Sequence, residues 1–246
     1  MRTLFISDIH LSETRPDLTR ALLNFLHHTC SDCDQLFLLG DIFDAWIGDD
    51  FIHPDLTPII DALDTLSKQG IEIFFQHGNR DFLVGKKFTS RIGAELLPEE
   101  SIIRLPDGQS ALIMHGDQLC LDDKEYQQFR ILVRNGDWQK DFLSKTLPER
   151  LEIARQLRAA SKEQNAEKSQ SIMDVNADSV QSALKKAECQ LLIHGHTHRP
   201  AIHQQQLNNQ TGTRIVLGDW DKELWYLSCD EAGYELLHEP IISSTH

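Results

Sequence analysis

Three imidazoles occupy alternate positions at His194, His196 and His198, directly after the apolar run CQLLI. The same arrangement, a short apolar run followed by a cluster of Asp, His or Asn, recurs along the chain. TLFIS leads into Asp8 and His10, QLFLLG into Asp41, and IEIFFQ into His77, Gly78, Asn79, Arg80 and Asp81. ALIM precedes His115, Gly116 and Asp117, and RIVLG precedes Asp219 and Trp220. Carboxylate, imidazole and amide donors without a thiolate suit manganese, iron or zinc in a hydrolytic site. A lone strand-end Asp is more often a cap or turn residue, because its oxygens accept from free backbone N–H groups. A series of DxH, GDxxD, GNRD, HGD and GHTH, each after an apolar run, points instead to one shared centre.

The runs themselves are what must position these groups. They are short and rich in β-branched and aromatic residues, and read as buried strands of a sandwich or mixed sheet, with amphipathic helices at LTRALLNFLHHT and LTPIIDALDTLSKQG. Ligands of α/β sheets bind beyond the carboxyl ends of strands, which is where every cluster falls. Between about residues 124 and 172 the pattern changes. Strand-like runs are missing, basic residues outnumber acidic ones, and Leu147, Leu151, Ala154 and Leu157 recur at helical spacing, as do Phe129, Leu132 and Val133. The chain is therefore expected to be a single α/β domain over residues 1–246 with a helical insertion at about 124–172.

Composition removes several classes of function. The chain has 246 residues, 40% of them hydrophobic, enough for a sizeable core. No apolar run approaches the roughly 18 residues of a membrane span, and the N-terminal MRTLFISDIH meets Asp8 too soon for a secretory signal, so a cytoplasmic location is expected. The five cysteines include one CxxC, Cys30 and Cys33, without a second pair, and are expected to be reduced thiols. A formal net charge of −14 argues against nonspecific binding of nucleic acid.

The order Asp8-x-His10, Gly40-Asp41-x-x-Asp44, Gly78-Asn79-Arg80-Asp81, His115-Gly116-Asp117 and Gly195-His196-Thr197-His198 resembles the calcineurin-like metallophosphoesterases. Within that superfamily, LGDIFDAWIGDD, HGNRDFLVGKKF, MHGDQLCLDD, SIMDVN and LIHGHTHRPAIH resemble the family that hydrolyses UDP-2,3-diacylglucosamine in the lipid A pathway, from residue 3 to about 220. The resemblance implies an αββα sandwich, a β-sandwich flanked by helices, with the insertion as a helical lid. It also implies two divalent ions, with manganese expected: one held by Asp8, His10 and His198, the other by Asn79, His115 and His196, and Asp41 bridging them. His196 and His198 are expected to project the same way from an extended segment, by the period-two alternation of side chains. His194 is left as a structural residue or one that orients a ligand.

The resemblance implies substrate contacts at Asn79, Arg80, Asp123, Ser161, Asn165, Lys168 and His196, with Asp41 and Arg80 carrying catalysis. Arg80 stands where many members of the superfamily have a histidine able to act as general acid. A phosphate monoester leaving group has a second pKa of about 6, so its departure needs no acid at neutral pH, and a guanidinium can stabilise the charge it takes. An ion pair between Arg80 and Asp81 in a turn is the alternative. The stripe Trp138, Phe142, Leu147, Leu151 and Leu157 either lines a slot for acyl chains or packs the helices down. The implied partners are UDP-2,3-diacylglucosamine and, peripherally, the cytoplasmic face of the inner membrane, with the chain a monomer. Another phosphoanhydride hydrolase, or a non-catalytic adaptor of the same fold, are the competing readings.

Overall fold

The computed structural model describes residues 1–167, 174–207 and 210–242, with the side chains of 161–167 and 210 excepted. Two mixed sheets pack face to face. The first contains β1 (Thr3–Ile6), β2 (Gln35–Leu38), β3 (Glu72–Phe75) and β4 (Ala94–Leu96), all parallel. The second contains β5 (Ser101–Arg104), β6 (Ser110–Ile113), β7 (Leu191–His194), β8 (Ala201–Leu207) and β9 (Gln210–Val216), in the order β5-β6-β7-β9-β8. A closing hairpin of β10 (Glu223–Asp230) and β11 (Gly233–Pro240) extends the first sheet, with β10 antiparallel to β1.

All six apolar runs that precede a polar cluster are strands, and burial of both faces explains why apolar residues occupy successive positions in them. Phe5 faces the opposite sheet, whereas Leu4 and Ile6 face the helices outside; Phe37 and Leu39 divide from Leu36 and Leu38 in the same way. In the second sheet, Ala111, Ile113, Leu191 and Ile193 point inward and Leu112 and Leu192 outward. Stacked rings of Phe5, Phe37 and Phe74, with centroids 4.8 and 4.5 Å apart, run across the inner face of the first sheet.

Helices cover both outer faces. α1 (Pro16–Asn24), α2 (Thr57–Lys68) and α3 (Lys86–Arg91) bury Leu18, Leu22, Ile59, Ile60, Leu63 and Phe88 against the first sheet. α4 (Lys124–Val133), α5 (Gly136–Ser144) and α6 (Leu147–Glu167) follow in the insertion, and α7 (Ala177–Lys186) buries Val180 and Leu184 against the second sheet. The result is an αββα sandwich. All five cysteines are buried and unbridged, Cys30 and Cys33 included.

The insertion is tied down at its first helix. From α4, Arg130 donates to Asp117 at 2.8 Å and to Glu99 at 2.7 Å, and Arg134 donates to the carbonyl of Gly78 at 3.0 Å. From α6, Arg158 reaches Asp44 through its carboxylate and its carbonyl, the latter at 2.7 Å, and buried Arg150 pairs with Asp50. Of the expected stripe, Trp138, Phe142 and Leu147 pack on the core, as the packing alternative has it, whereas Leu151 is exposed. Helical spacing alone cannot tell a residue facing a cleft from one facing the core or water.

Candidate metal centre

Register sets the level at which the polar residues emerge. In the parallel trio, Ile6 pairs with Leu38 and Leu38 with Phe75, so the loops beyond them leave the sheet side by side. The amide of Asp8 donates to the Gly40 carbonyl at 3.1 Å, and that of His10 to the Asp41 carbonyl at 3.0 Å. From the second sheet, the amide of Gly195 donates to the His115 carbonyl at 2.9 Å. The chain then turns sharply. Asp8, His10, Asp41, His196 and His198 all take left-handed backbone, with φ between 54° and 68°. Such a conformation costs a side-chain-bearing residue about 1–2 kcal/mol, so these loops hold their side chains over the sheet edge against local preference.

This geometry corrects one expectation. His196 lies in a bend, and both it and His198 have left-handed backbone in place of an extended segment, so strand alternation does not set their directions. His196 Nδ1 is 2.8 Å from Asn79 Oδ1, whereas His198 Nε2 is 3.4 Å from Asp8 Oδ1 and 3.4 Å from His10 Nε2. His115 Nε2 also meets Asn79 Oδ1, at 2.9 Å. Asp41 stands between the two groups, Oδ1 3.7 Å from His115 Nε2 and Oδ2 3.9 Å from His10 Nδ1.

The donor set fits divalent cations. Asp8, His10 and His198 offer ligand atoms within 4.8 Å of one another, and so do Asp8, Asp41 and His115. Asp8 Oδ1 and His10 Nδ1 are buried without a hydrogen-bond partner, a costly state that a cation relieves. Burial and neighbouring charges divide the protonation of the set. Burial pushes Asp41 up to about 7 against the pull of His115, and lowers His10 to about 3 and His196 to about 4, which leaves both imidazoles neutral. Burial also disfavours charge on Asp8, yet His198, His115 and His10 outweigh it and hold the carboxyl well below its usual range. The same contact with Asp8 overcomes burial at His198 and raises it to about 9.

Glycines allow this crowding. A Cβ on Gly78 would lie 2.2 Å from Asp41 Oδ1, and one on Gly195 would lie 2.2 Å from Asp8 Oδ2. Asp81 is buried and accepts from the amides of Gly78 and Ile42, at 2.8 and 2.9 Å, lacing the Asn79 loop to the Asp41 loop. Its oxygens serve the backbone, and among the described residues there is no Arg80–Asp81 ion pair and no hydrogen-bond partner for the buried Arg80 Nε. His194 is fully buried, its Nδ1 2.8 Å from the Gly195 carbonyl and its Nε2 accepting from Arg214 at 3.2 Å, which makes it structural.

Two cavities meet here. A polar one is lined by His10, Asp41, Asn79, Arg80, Asp123, Tyr126, Thr197 and His198 among others, and an apolar cleft by Phe82, Leu83, Phe129, Trp138, Phe142, Ala154 and Leu157. They share Asn79, Arg80 and Tyr126. Asp123 caps α4 by accepting from the Tyr126 amide at 3.1 Å. Of the remaining expected contacts, Ser161 and Asn165 lie along α6, but their side chains, and all of Lys168, are outside the described residues. Tyr126, which donates to Asp117 at 2.6 Å and lies against His196 with centroids 5.8 Å apart, has no motif that would single it out.

The model of the calcineurin-like phosphoesterase family matches residues 1–200. The chain belongs to that family. It is 47% identical to the UDP-2,3-diacylglucosamine hydrolase of Tolumonas auensis over 98% of each chain. It is 48% identical to the protein of that name in Pectobacterium carotovorum and 47% to the one in Escherichia coli O81, in each case over 98% of this chain and 100% of the relative.

Manganese(II) added to metal-free protein should raise the melting temperature, because ligand binding only to the folded state contributes about 2.7 kcal/mol at a concentration 100 times Kd. Asp41→Asn should lose most of that rise and several orders of magnitude of turnover while the metal-free melting temperature holds; calorimetry and steady-state assays check both.

Proposed function

We propose that the protein hydrolyses the pyrophosphate bond of UDP-2,3-diacylglucosamine, giving UMP and 2,3-diacylglucosamine 1-phosphate in lipid A biosynthesis. The observation that carries this reading is the junction of the two cavities at Asn79, Arg80 and Tyr126. A substrate with a diphosphate at one end and acyl chains at the other matches a polar pocket that opens into an apolar cleft. The full-length similarity to relatives of that name supports it.

Asp8, His10 and His198 on one side, and Asn79, His115 and His196 on the other, would hold two divalent ions with Asp41 between them, and manganese is our reading of their identity. Two such ions supply acidification of water and neutralisation of phosphoryl oxygens. Arg80 borders both cavities, and its buried Nε lacks a partner that a phosphate oxygen would provide. It grips the diphosphate and stabilises the charge growing on the departing sugar phosphate, whose second pKa of about 6 lets it leave without a proton. Water attacks the α-phosphorus, its oxygen ends in UMP, and the P–O bond to the sugar phosphate breaks. Asp123, Ser161, Asn165 and Lys168 contact the substrate in this reading, and the insertion acts as a lid.

The monomer is proposed to work at the cytoplasmic face of the inner membrane. Exposed Ile131, Leu132, Leu143 and Leu151 on the basic insertion, with Leu121 just before it, support contact with an anionic lipid surface. Among the described residues no helix is long and apolar enough to cross a membrane.

Purified protein in 18O-labelled water should release UMP carrying the label, read by mass spectrometry; label in the sugar phosphate refutes attack at the α-phosphorus, and faster cleavage of a dinucleoside polyphosphate refutes the substrate. Arg80→Ala should reduce kcat/KM at least a hundredfold with the melting temperature held, and Arg80→Lys should recover only part, since the bidentate fork is gone. Leu157→Asp in the cleft should raise KM for the diacylated substrate with little change in melting temperature. Leu147→Asp, on the core side, should lower melting temperature and turnover together.

A further inference from the structure

Asp219 ends the sixth apolar run, as Asp8 and Asp41 end theirs, yet it belongs to neither group of metal donors. Its Oδ2 lies 3.5 Å from His198 Nδ1. The other ring nitrogen, Nε2, is the one that faces Asp8 and His10. His198 therefore presents one nitrogen to the centre and the other to a carboxylate outside it.

The Asp219 loop is pinned on both flanks. The Leu217 amide donates to the His194 carbonyl at 2.8 Å, and the Trp220 amide to the Asp8 carbonyl at 3.0 Å. Trp220 is buried edge-on against Phe25, with centroids 5.6 Å apart, and its indole N–H donates to the Trp225 carbonyl at 2.9 Å. A Cβ on Gly218 would come 2.4 Å from Trp225 Cγ, so the turn into Asp219 presses directly on that ring. The carboxylate is thus fixed relative to Asp8 by the backbone of Asp8 itself.

His198 needs such a partner more than the other candidate ligands. Its side chain is 40% exposed, whereas that of His115 is 1% exposed and has its Nδ1 held 2.9 Å from the Leu39 carbonyl. We propose that Asp219 is a positioning residue for the first metal. Its carboxylate accepts the Nδ1–H of His198, which keeps the Nε2 lone pair on the centre and strengthens Nε2 as a donor. The counterpart at His115 is a neutral carbonyl, so the two sites differ in outer charge and the Asp8–His10–His198 site binds its ion more tightly.

This inference rests on the dinuclear reading, and stepwise titration of metal-free protein with manganese(II), followed by electron paramagnetic resonance, separates the two. Asp219→Ala should weaken one binding step about 10–100-fold and leave the other unchanged. Asp219→Asn, whose amide oxygen still accepts from Nδ1–H, should fall between Ala and wild type. Thermal unfolding of both metal-free variants should match wild type. Wild type binding two ions while Asp219→Ala binds both as tightly overturns the role of Asp219 alone; wild type binding no ion overturns the metal centre and this role together. A fall in both steps alongside a lower metal-free melting temperature assigns Asp219 to folding and also overturns the proposal.

Discussion

Asp8 and Asp41 are buried at the ends of adjacent parallel strands, where an uncompensated carboxylate costs several kcal/mol. Among the described residues no Lys or Arg side chain forms a salt bridge with them, and three imidazoles, of His10, His115 and His198, lie within 4 Å. Backbone amides of His196 and Arg80 and the Ser7 hydroxyl donate to these carboxylates, and the donor atoms left over form a set that suits a cation. The left-handed loops, the glycines beneath the carboxylates and the lacing by Asp81 are all consequences of bringing those groups so close.

The double-sheet architecture makes that approach possible. Each sheet sends loops from the carboxyl ends of its parallel strands, and the seam between sheets puts Asp8 and Asp41 from one beside His115 and His196 from the other. Parallel strands buried on both faces give a rigid frame. The cost of five left-handed residues is therefore borne by a core with stacked aromatics and continuous apolar runs.

The insertion joins this frame at the residues that border the metal-type donors. α4 is bound through Asp117 next to His115 and through the Gly78 carbonyl next to Asn79, so the helix that carries Tyr126 is referenced to the same loops. The polar pocket and the apolar cleft consequently keep a set relation, as recognition of one amphipathic molecule requires.

Local chemistry made much of this legible in the residue order. Runs buried on both faces are largely apolar without strict alternation, so all six strands could be read directly, and the clusters after five of them named Asp8, His10, Asp41, Asn79, His115, His196 and His198. The hairpin of β10 and β11 had no such marker. Directions of side chains were decided only in three dimensions. His196 and His198 separate because of left-handed turns that no spacing rule encodes, and Leu147 and Leu157, alike in helical pattern, face a core and a cleft. Asp81 could have paired with Arg80 in sequence but is consumed by two backbone amides, one of them 39 positions away. Residue types determine which donors are available; the meeting of two sheets, a long-range property of the folded chain, determines which of them come within reach of one another.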